Sequence, residues 1–262
     1  MPLSGVLQTK LEKDGYVVSN TRIDHQTITN LALLYDQTAP GLKGFHTSFN
    51  LESVNDKRRV NNHLKLVLQP HIDNLFPDYC LVVANFVVKE PSQESYLPFH
   101  RDWSVIDEQR FSGYNVWFPL VDLNTENGVI GFCKGTHKNA PLFRSPTNPI
   151  GLIQTSPELE NEVEFQYTKA GQILAFNHAT IHCSKANRSI EARIAVTAVI
   201  VPKASQGLHY YFENNGSEMV TYEVDEEFYL QYQIGSAIPE GLKKLKPSHN
   251  FNFKRLMSCF KW

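Results

Sequence analysis

Cysteine is scarce in this chain. Four residues, Cys80, Cys133, Cys183 and Cys259, are scattered over 262 positions with no Cys-x-x-Cys pair, which excludes a disulfide-framework scaffold and favours a reducing compartment. An excess of one charge is missing too. The 25 Lys and Arg against 27 Asp and Glu leave a net charge of −2, so there is no general attraction to nucleic acid. No apolar run approaches the length of a membrane span. The first residues carry charge at Lys10, Glu12 and Lys13, where a secretory leader would be apolar. No internal repeat, low-complexity tract or linker divides the sequence. The expectation is a cytoplasmic protein with one domain over residues 1–262 and no membrane span. The oligomeric state stays open.

What is present is a 42% hydrophobic composition, enough for a full core at this length. Helical spacing comes first. Asp24–Tyr35 has an acidic start and apolar residues at helical intervals. Glu52–Phe76 reads as one or two helices, with an interruption at Pro70. From Tyr79 onward, short β-rich runs alternate with Gly, Pro and Asn turns, which argues for an antiparallel double sheet. The expected division is a helical part at about 1–78, a β core at about 79–202 and an extension over 203–262. Asn139–Asn161, polar and proline-bearing, is a candidate lid or substrate-facing loop. The basic, aromatic segments Lys243–Lys246 and Lys254–Trp262 read as a solvated tail, with contact to lipid or an anion as the alternative.

With ten His and 27 acidic residues in 262, chance supplies about one His-x-Asp/Glu. The chain holds two. His71-Ile72-Asp73 falls within Leu64–Phe76, where positions i and i+2 of a helix diverge, so that pair is a poor ligand set. His100-Arg101-Asp102 falls within the aromatic Tyr96–Trp103, beyond the turn-forming Glu90–Ser95, which suits an extended strand. There His100 and Asp102 share a face while Arg101 points elsewhere. A surface strand with a solvated salt bridge would carry the same three residues.

Gly171–His182 reads as a Gly-started strand, a short polar turn and a second strand that delivers His182. Ser184, two positions on, shares its face, and Cys183 between them turns away into core. Arg193 lies eleven residues past His182 and opens Arg193–Val201, the most strand-like run of the sequence. An arginine entering a buried strand is costly unless a carboxylate or phosphate meets it, and its planar fork suits a bidentate carboxylate. A structural salt bridge at the strand end is the alternative. Two imidazoles and one carboxylate on a metal leave three positions open, as in non-haem Fe(II) enzymes.

These residues resemble the phytanoyl-CoA dioxygenase family of Fe(II)/2-oxoglutarate oxygenases, over about Leu81–Pro202 and more weakly in the N-terminal helices. The resemblance implies His100, Asp102 and His182 as the iron ligands and catalytic centre. It implies Arg193 and Ser184 as the holders of the far carboxylate of 2-oxoglutarate. Trp117–Gly128, with its Glu126-Asn127-Gly128, resembles the family's strand and turn, and Lys134-Gly135-Thr136-His137 resembles its Pro-Gly-Ser-His. By the same analogy Trp117 flanks 2-oxoglutarate and Asn85 reaches its near carboxylate. A packed core role for these two is the alternative. Arg101 stands where the family often has Gln, and Lys134 where Pro is usual. Neither replaces a ligand, and both bear on substrate choice.

The implied fold is mainly β (α+β), a double-stranded β-helix or cupin-like jelly roll with supporting N-terminal helices. The implied activity uses Fe(II), 2-oxoglutarate and O2 to hydroxylate an unactivated C–H bond of a small-molecule substrate, releasing succinate and CO2. Desaturation or cyclisation on the same scaffold and a non-catalytic metal-binding module are the alternatives. Asp102 argues against halogenation, since halogenases of this kind lack that carboxylate. Arg101, Arg110 and Arg144 lie near the expected mouth and read as solvated charge, unless an anionic substrate uses them. Arg188 is the second choice of anchor. The substrate itself is not written in the sequence.

Overall fold

The structure, a computed structural model, describes residues 5–38, 41, 43–147, 153–213, 218–232 and 236–245. Helix α1 (Gly5–Asp14) leads through Gly15 into strand β1 (Tyr16–Arg22), and α2 (His25–Thr38) is followed by β2 (Phe45–Thr47). Asp24 caps α2, accepting from the Thr27 amide at 3.0 Å. Helix α3 (Val54–Leu75) starts at the cap Ser53, whose side chain accepts from the Asp56 amide, and is followed by β3 (Tyr79–Lys89). The central strands are β4 (Leu97–His100), β5 (Tyr114–Pro119) and β6 (Ile130–Cys133). After α4 (Pro157–Glu162) come β7 (Val163–Phe165), β8 (Gln172–Asn177), β9 (His182–Ser184) and β10 (Arg193–Pro202). The last part holds β11 (Leu208–Glu213), β12 (Glu218–Glu223), α5 (Glu226–Gln231) and β13 (Lys243–Leu245).

Strands β1-β8-β5-β10-β3-β2 form a six-stranded sheet, β4-β9-β6-β7 a four-stranded one, and β11-β12-β13 a third. Every pairing is antiparallel. The first two sheets enclose Tyr16, Trp117, Ile130, Phe132, Leu174 and Phe176, the aligned packing of a jelly roll. The outer face of the large sheet is covered by α2 and α3. On α3, Val60, Leu64, Leu68 and Ile72, four residues apart, are fully buried against Ala84, Phe86 and Val88 of β3. Each contributes about 1.5–3 kcal/mol of burial. Alternation along β3 leaves Val83, Asn85 and Val87 facing inward, onto a cavity.

Two expectations change. Pro70 does not interrupt α3, which runs unbroken from Val54 to Leu75. Pro70 and Leu66, whose carbonyl loses its helical partner, are both exposed, so water can satisfy that carbonyl while the buried stripe continues on the other side. The segment expected to be helical up to about residue 78 also supplies β1 and β2 to the large sheet. Tyr16 and Val17 of β1 are buried there, and the run was too short to signal a strand by alternation. Gly171 starts β8 as read, at φ +73°, where an added Cβ would lie 2.5 Å from the Ile23 carbonyl oxygen.

No helix among the described residues is long and apolar enough to cross a membrane. The basic segment at 254–262 and positions 148–152 of the proline-bearing stretch lie outside the described residues.

Candidate active site

Register brings the two histidines together. Strands β4 and β9 are neighbours, and His100 pairs directly with His182. Their ring centroids are 4.1 Å apart. Strand β4 ends at His100, so Asp102 follows in irregular backbone and not on the strand face expected for it. It reaches the histidines nonetheless, because its amide donates to the His178 carbonyl at 2.9 Å. Asp102 Oδ1 lies 3.9 Å from His100 Nε2 and 3.8 Å from His182 Nε2. Among the described residues, this is the group of His, Cys, Asp and Glu whose donor atoms converge, all within 4.8 Å. His71 and Asp73 lie on α3, where Asp73 accepts from Gln69 at 2.9 Å.

The donor atoms are oriented from behind. His100 Nδ1 is 2.8 Å from the Pro98 carbonyl, and His182 Nδ1 is 3.0 Å from the Thr180 carbonyl. A carbonyl oxygen only accepts, so both Nδ1 atoms carry the proton and both Nε2 lone pairs face the gap. Burial and the neighbouring His182 push the His100 pKa down to about 4, keeping that ring neutral, as a metal ligand must be. Asp102 Oδ2 accepts from Asn115 Nδ2 at 2.6 Å, which leaves Oδ1 free.

All three side chains line a cavity of about 1090 Å³ that also takes in Asn85, Trp117, Ser184 and Arg193. Arg193 is 2% exposed and has no carboxylate partner among the described residues. Its Nη1 donates at 3.4 Å to the Val87 carbonyl, its Nε is unpaired, and its guanidinium lies 5.7 Å over the Trp117 ring. Burial pushes its pKa down to about 9. A fixed cation without a counter-ion beside three converging donors suits a dianionic ligand with one carboxylate at each end. Asn85 is buried, and its amide nitrogen donates to the Phe86 carbonyl at 3.0 Å. Arg188, the second choice of anchor, is exposed and does not border the cavity.

Arg144 overturns its reading as solvated charge. It is fully buried, forks onto Glu108 with bonds of 2.6 and 2.7 Å, and donates from Nε to the Asp102 carbonyl at 2.7 Å. Arg101 is also held internally, donating to the Ala179 carbonyl at 2.9 Å, although it borders the cavity. Lys134 pairs with Glu164 at 2.6 Å, away from the cavity. The stretch read as a lid is anchored in its described first half: Ser145 donates to the Tyr210 carbonyl, and Thr147 Oγ1 accepts from the Phe212 amide at 2.9 Å. Ser145, Pro146 and Thr147 do face the cavity.

Sequence reasoning missed Asn115, Glu108 and Lys89. An amide inside the wholly buried strand Tyr114–Pro119, two residues before Trp117 and so on its face, was the available signal for Asn115. Lys89 pairs across strands with Arg193, and burial and that neighbour push its pKa down to about 6. The Lys89 ammonium donates to the Ser95 carbonyl, and of two buried cations side by side the lysine gives up its proton more readily than the guanidinium. Cys183 is buried with Phe99, Cys133 and Ile181, as expected of core.

Comparison with known proteins bears on the fold and on the family. No curated protein matches the sequence significantly. Among solved structures, the chain is similar to the non-heme alpha-ketoglutarate-dependent carbocyclase SnoK from nogalamycin biosynthesis, with a TM-score of 0.62 and 17% identity over 78% of this chain and 86% of that one. The epimerase SnoN from nogalamycin biosynthesis follows at 0.57 and 20%, covering 78% and 84%. HygX from Streptomyces hygroscopicus, with nickel and 2-oxoglutarate bound, matches at 0.54 and 15%, covering 77% and 88%. At such identities these likenesses establish the shared fold. The model of the phytanoyl-CoA dioxygenase family matches residues 11–195, a span that contains every residue of the site, and the chain belongs to that family.

Proposed function

We propose that the protein is an Fe(II)- and 2-oxoglutarate-dependent dioxygenase that hydroxylates an unactivated C–H bond of a small-molecule substrate. The observation that carries this reading is the convergence of His100 Nε2, His182 Nε2 and Asp102 Oδ1 in one cavity with the unpartnered guanidinium of Arg193. The three donors would hold the iron on one face. Arg193 would grip the distal carboxylate of 2-oxoglutarate through its fork, with Ser184 beside it on the face of His182 and Trp117 under the guanidinium. With iron and 2-oxoglutarate bound, the centre supplies oxidative decarboxylation by O2 to succinate and CO2, coupled to oxygen insertion into C–H.

The chain's own residues supply orientation. Pro98 and Thr180 fix the imidazole protons, Asn115 fixes the carboxylate, and Arg144 holds the backbone of Asp102 in place. The apolar walls, Val83, Val87, Trp103 and Phe176 among them, keep bulk water from the reacting atoms.

A second reading, epimerisation or ring closure on the same site, is favoured by the likeness to SnoK and SnoN. Both readings retain Asp102, which fills the position a halide would need. The experiment is anaerobic loading with Fe(II) and 2-oxoglutarate, exposure to labelled O2 with metabolite extracts, and product mass spectrometry. One labelled oxygen in product supports hydroxylation. Loss of two hydrogens, or no change of mass, assigns ring closure or epimerisation, and absence of succinate formation refutes the enzyme class.

A further inference from the structure

The cavity extends past the metal triad to the first turn of α3 and to α5, where its wall includes Phe49, Leu51, Lys57, Tyr229 and Tyr232. Lys57 is only 4% exposed. Its ammonium group has no hydrogen bond or ion pair among the described residues, whereas three polar neighbours on α3 are matched. Arg58 pairs with Glu227, Lys65 with Glu226, and Asn61 donates to Glu226 at 2.7 Å. The acidic side chains of α5 are thereby engaged. The cavity wall holds two carboxylates, Glu52 and Asp102, and neither pairs with Lys57. Its pKa is lowered, and burial is the cause, with no carboxylate opposing it.

Lys57 also sits one turn into α3, its amide bonded to the Ser53 carbonyl at 3.1 Å. A cation there opposes the positive end of the helix, so it does not serve the helix. With its side chain buried and its unpaired ammonium at the cavity wall, Lys57 carries a partial desolvation penalty in the ligand-free fold. A ligand that brings a negative charge removes the penalty. Arg193 cannot answer for the same charge, since the functional reading gives it to 2-oxoglutarate.

We propose that Lys57 is a substrate-anion subsite: the substrate carries a carboxylate or phosphate on an apolar body, and Lys57 holds the anionic end away from the metal. Phe49, Leu51, Val83 and Tyr229 border the path of the apolar body. This rests on the oxygenase reading for the word substrate, while the subsite itself is testable without metal.

The test is titration calorimetry of the full chain, metal-free, with octanoate, octyl phosphate and neutral octanol. Native protein binds at least one of the two anions about tenfold or more tighter than octanol, as a desolvated charge-assisted bond requires. Which anion is preferred separates carboxylate from phosphate. Lys57→Met loses the preference while Lys57→Arg retains most of it. A native protein that binds neither anion, or shows no preference for either over octanol, overturns the proposal. So does a preference that survives Lys57→Met, or one that is lost in Arg193→Gln with Lys57 intact. A measurement on native protein alone guards against a variant that fails to fold: the favoured anion, and not octanol, protects Lys57 from reductive methylation, read by peptide mass spectrometry. Unprotected Lys57 at saturating anion overturns the proposal as well. Loading with Fe(II) and 2-oxoglutarate on the same preparations reports separately on the functional reading.

Discussion

Replacing Arg193 by Met should move stability and cosubstrate affinity in opposite directions. The guanidinium is 2% exposed, its Nε is unpaired among the described residues, and its bond to the Val87 carbonyl is 3.4 Å long. Its pKa falls from 12.5 to about 9, which at ~1.4 kcal/mol per unit corresponds to about 5 kcal/mol against holding the charge in the ligand-free fold. The sign follows from linkage: the folded state binds this proton less tightly than the unfolded chain, so the penalty is present in full at neutral pH. Met keeps much of the volume without the charge. The ligand-free variant should therefore melt at or above the native temperature, by roughly 2–4 °C for each kcal/mol recovered.

The ligand reverses the order. Native protein at a hundredfold excess of 2-oxoglutarate over Kd gains about 2.7 kcal/mol. The variant, lacking the fork, should bind 2-oxoglutarate with a loss of about 2–5 kcal/mol, or roughly thirtyfold to several thousandfold, and show almost no shift. Differential scanning calorimetry with Fe(II) under nitrogen, with and without 2-oxoglutarate, reads both effects. A variant that melts well below native without ligand and still gains the native shift would show Arg193 to be a structural residue and not the cosubstrate anchor.

Other perturbations give separate readouts. His100→Ala and His182→Ala should each abolish the one-per-chain binding of Fe(II), measured by anaerobic titration, and retention in both variants would remove the triad assignment. Asn115→Ala should weaken iron binding by about 10–100-fold with little change in fold, since it frees Asp102 Oδ2 from its 2.6 Å donor. Glu108→Gln should destabilise the fold by about 3–5 kcal/mol, because Arg144, fully buried, would lose its charged partner. Chemical denaturation measures that loss, and a change under 1 kcal/mol would contradict it. Lys134→Ala should leave stability within about 1 kcal/mol, as its pair with Glu164 is about half exposed.

The sequence was readable where a side chain's role depends on its own element. Strands Leu81–Lys89 and Arg193–Val201 were long and β-branched, and they appear as β3 and β10, each slightly extended. The spacing of His182, Ser184 and Arg193 placed all three on the cavity wall, because strand alternation is local. What depended on tertiary pairing was not readable. Arg144 looked like any loop arginine, since its partner Glu108 is 36 residues away and the pair is buried only by the packed fold. Asn115 met Asp102 for the same reason, across a loop between strands. Lys57 lay in the charged run Asp56–Arg59, where sequence gives no means of separating the one buried cation from the paired Arg58 and the exposed Arg59.

The carbonyls behind the two imidazoles carry a consequence for metal selectivity. Pro98 and Thr180 each lie two residues before the histidine they orient, Pro98 on β4 itself and Thr180 in the turn that leads into β9, so the donor geometry is set by local backbone before any ion arrives. A preset trio of two imidazole nitrogens and one carboxylate oxygen offers the same welcome to nickel, copper or zinc as to iron. By the order of intrinsic affinities those ions bind such donors more tightly than Fe(II). Occupancy by iron in a cell would then follow from which ion is freely available when the chain folds, and protein recovered in air would collect competing metals. The identity of the bound ion becomes a property of the surroundings, while the polypeptide determines only where it sits.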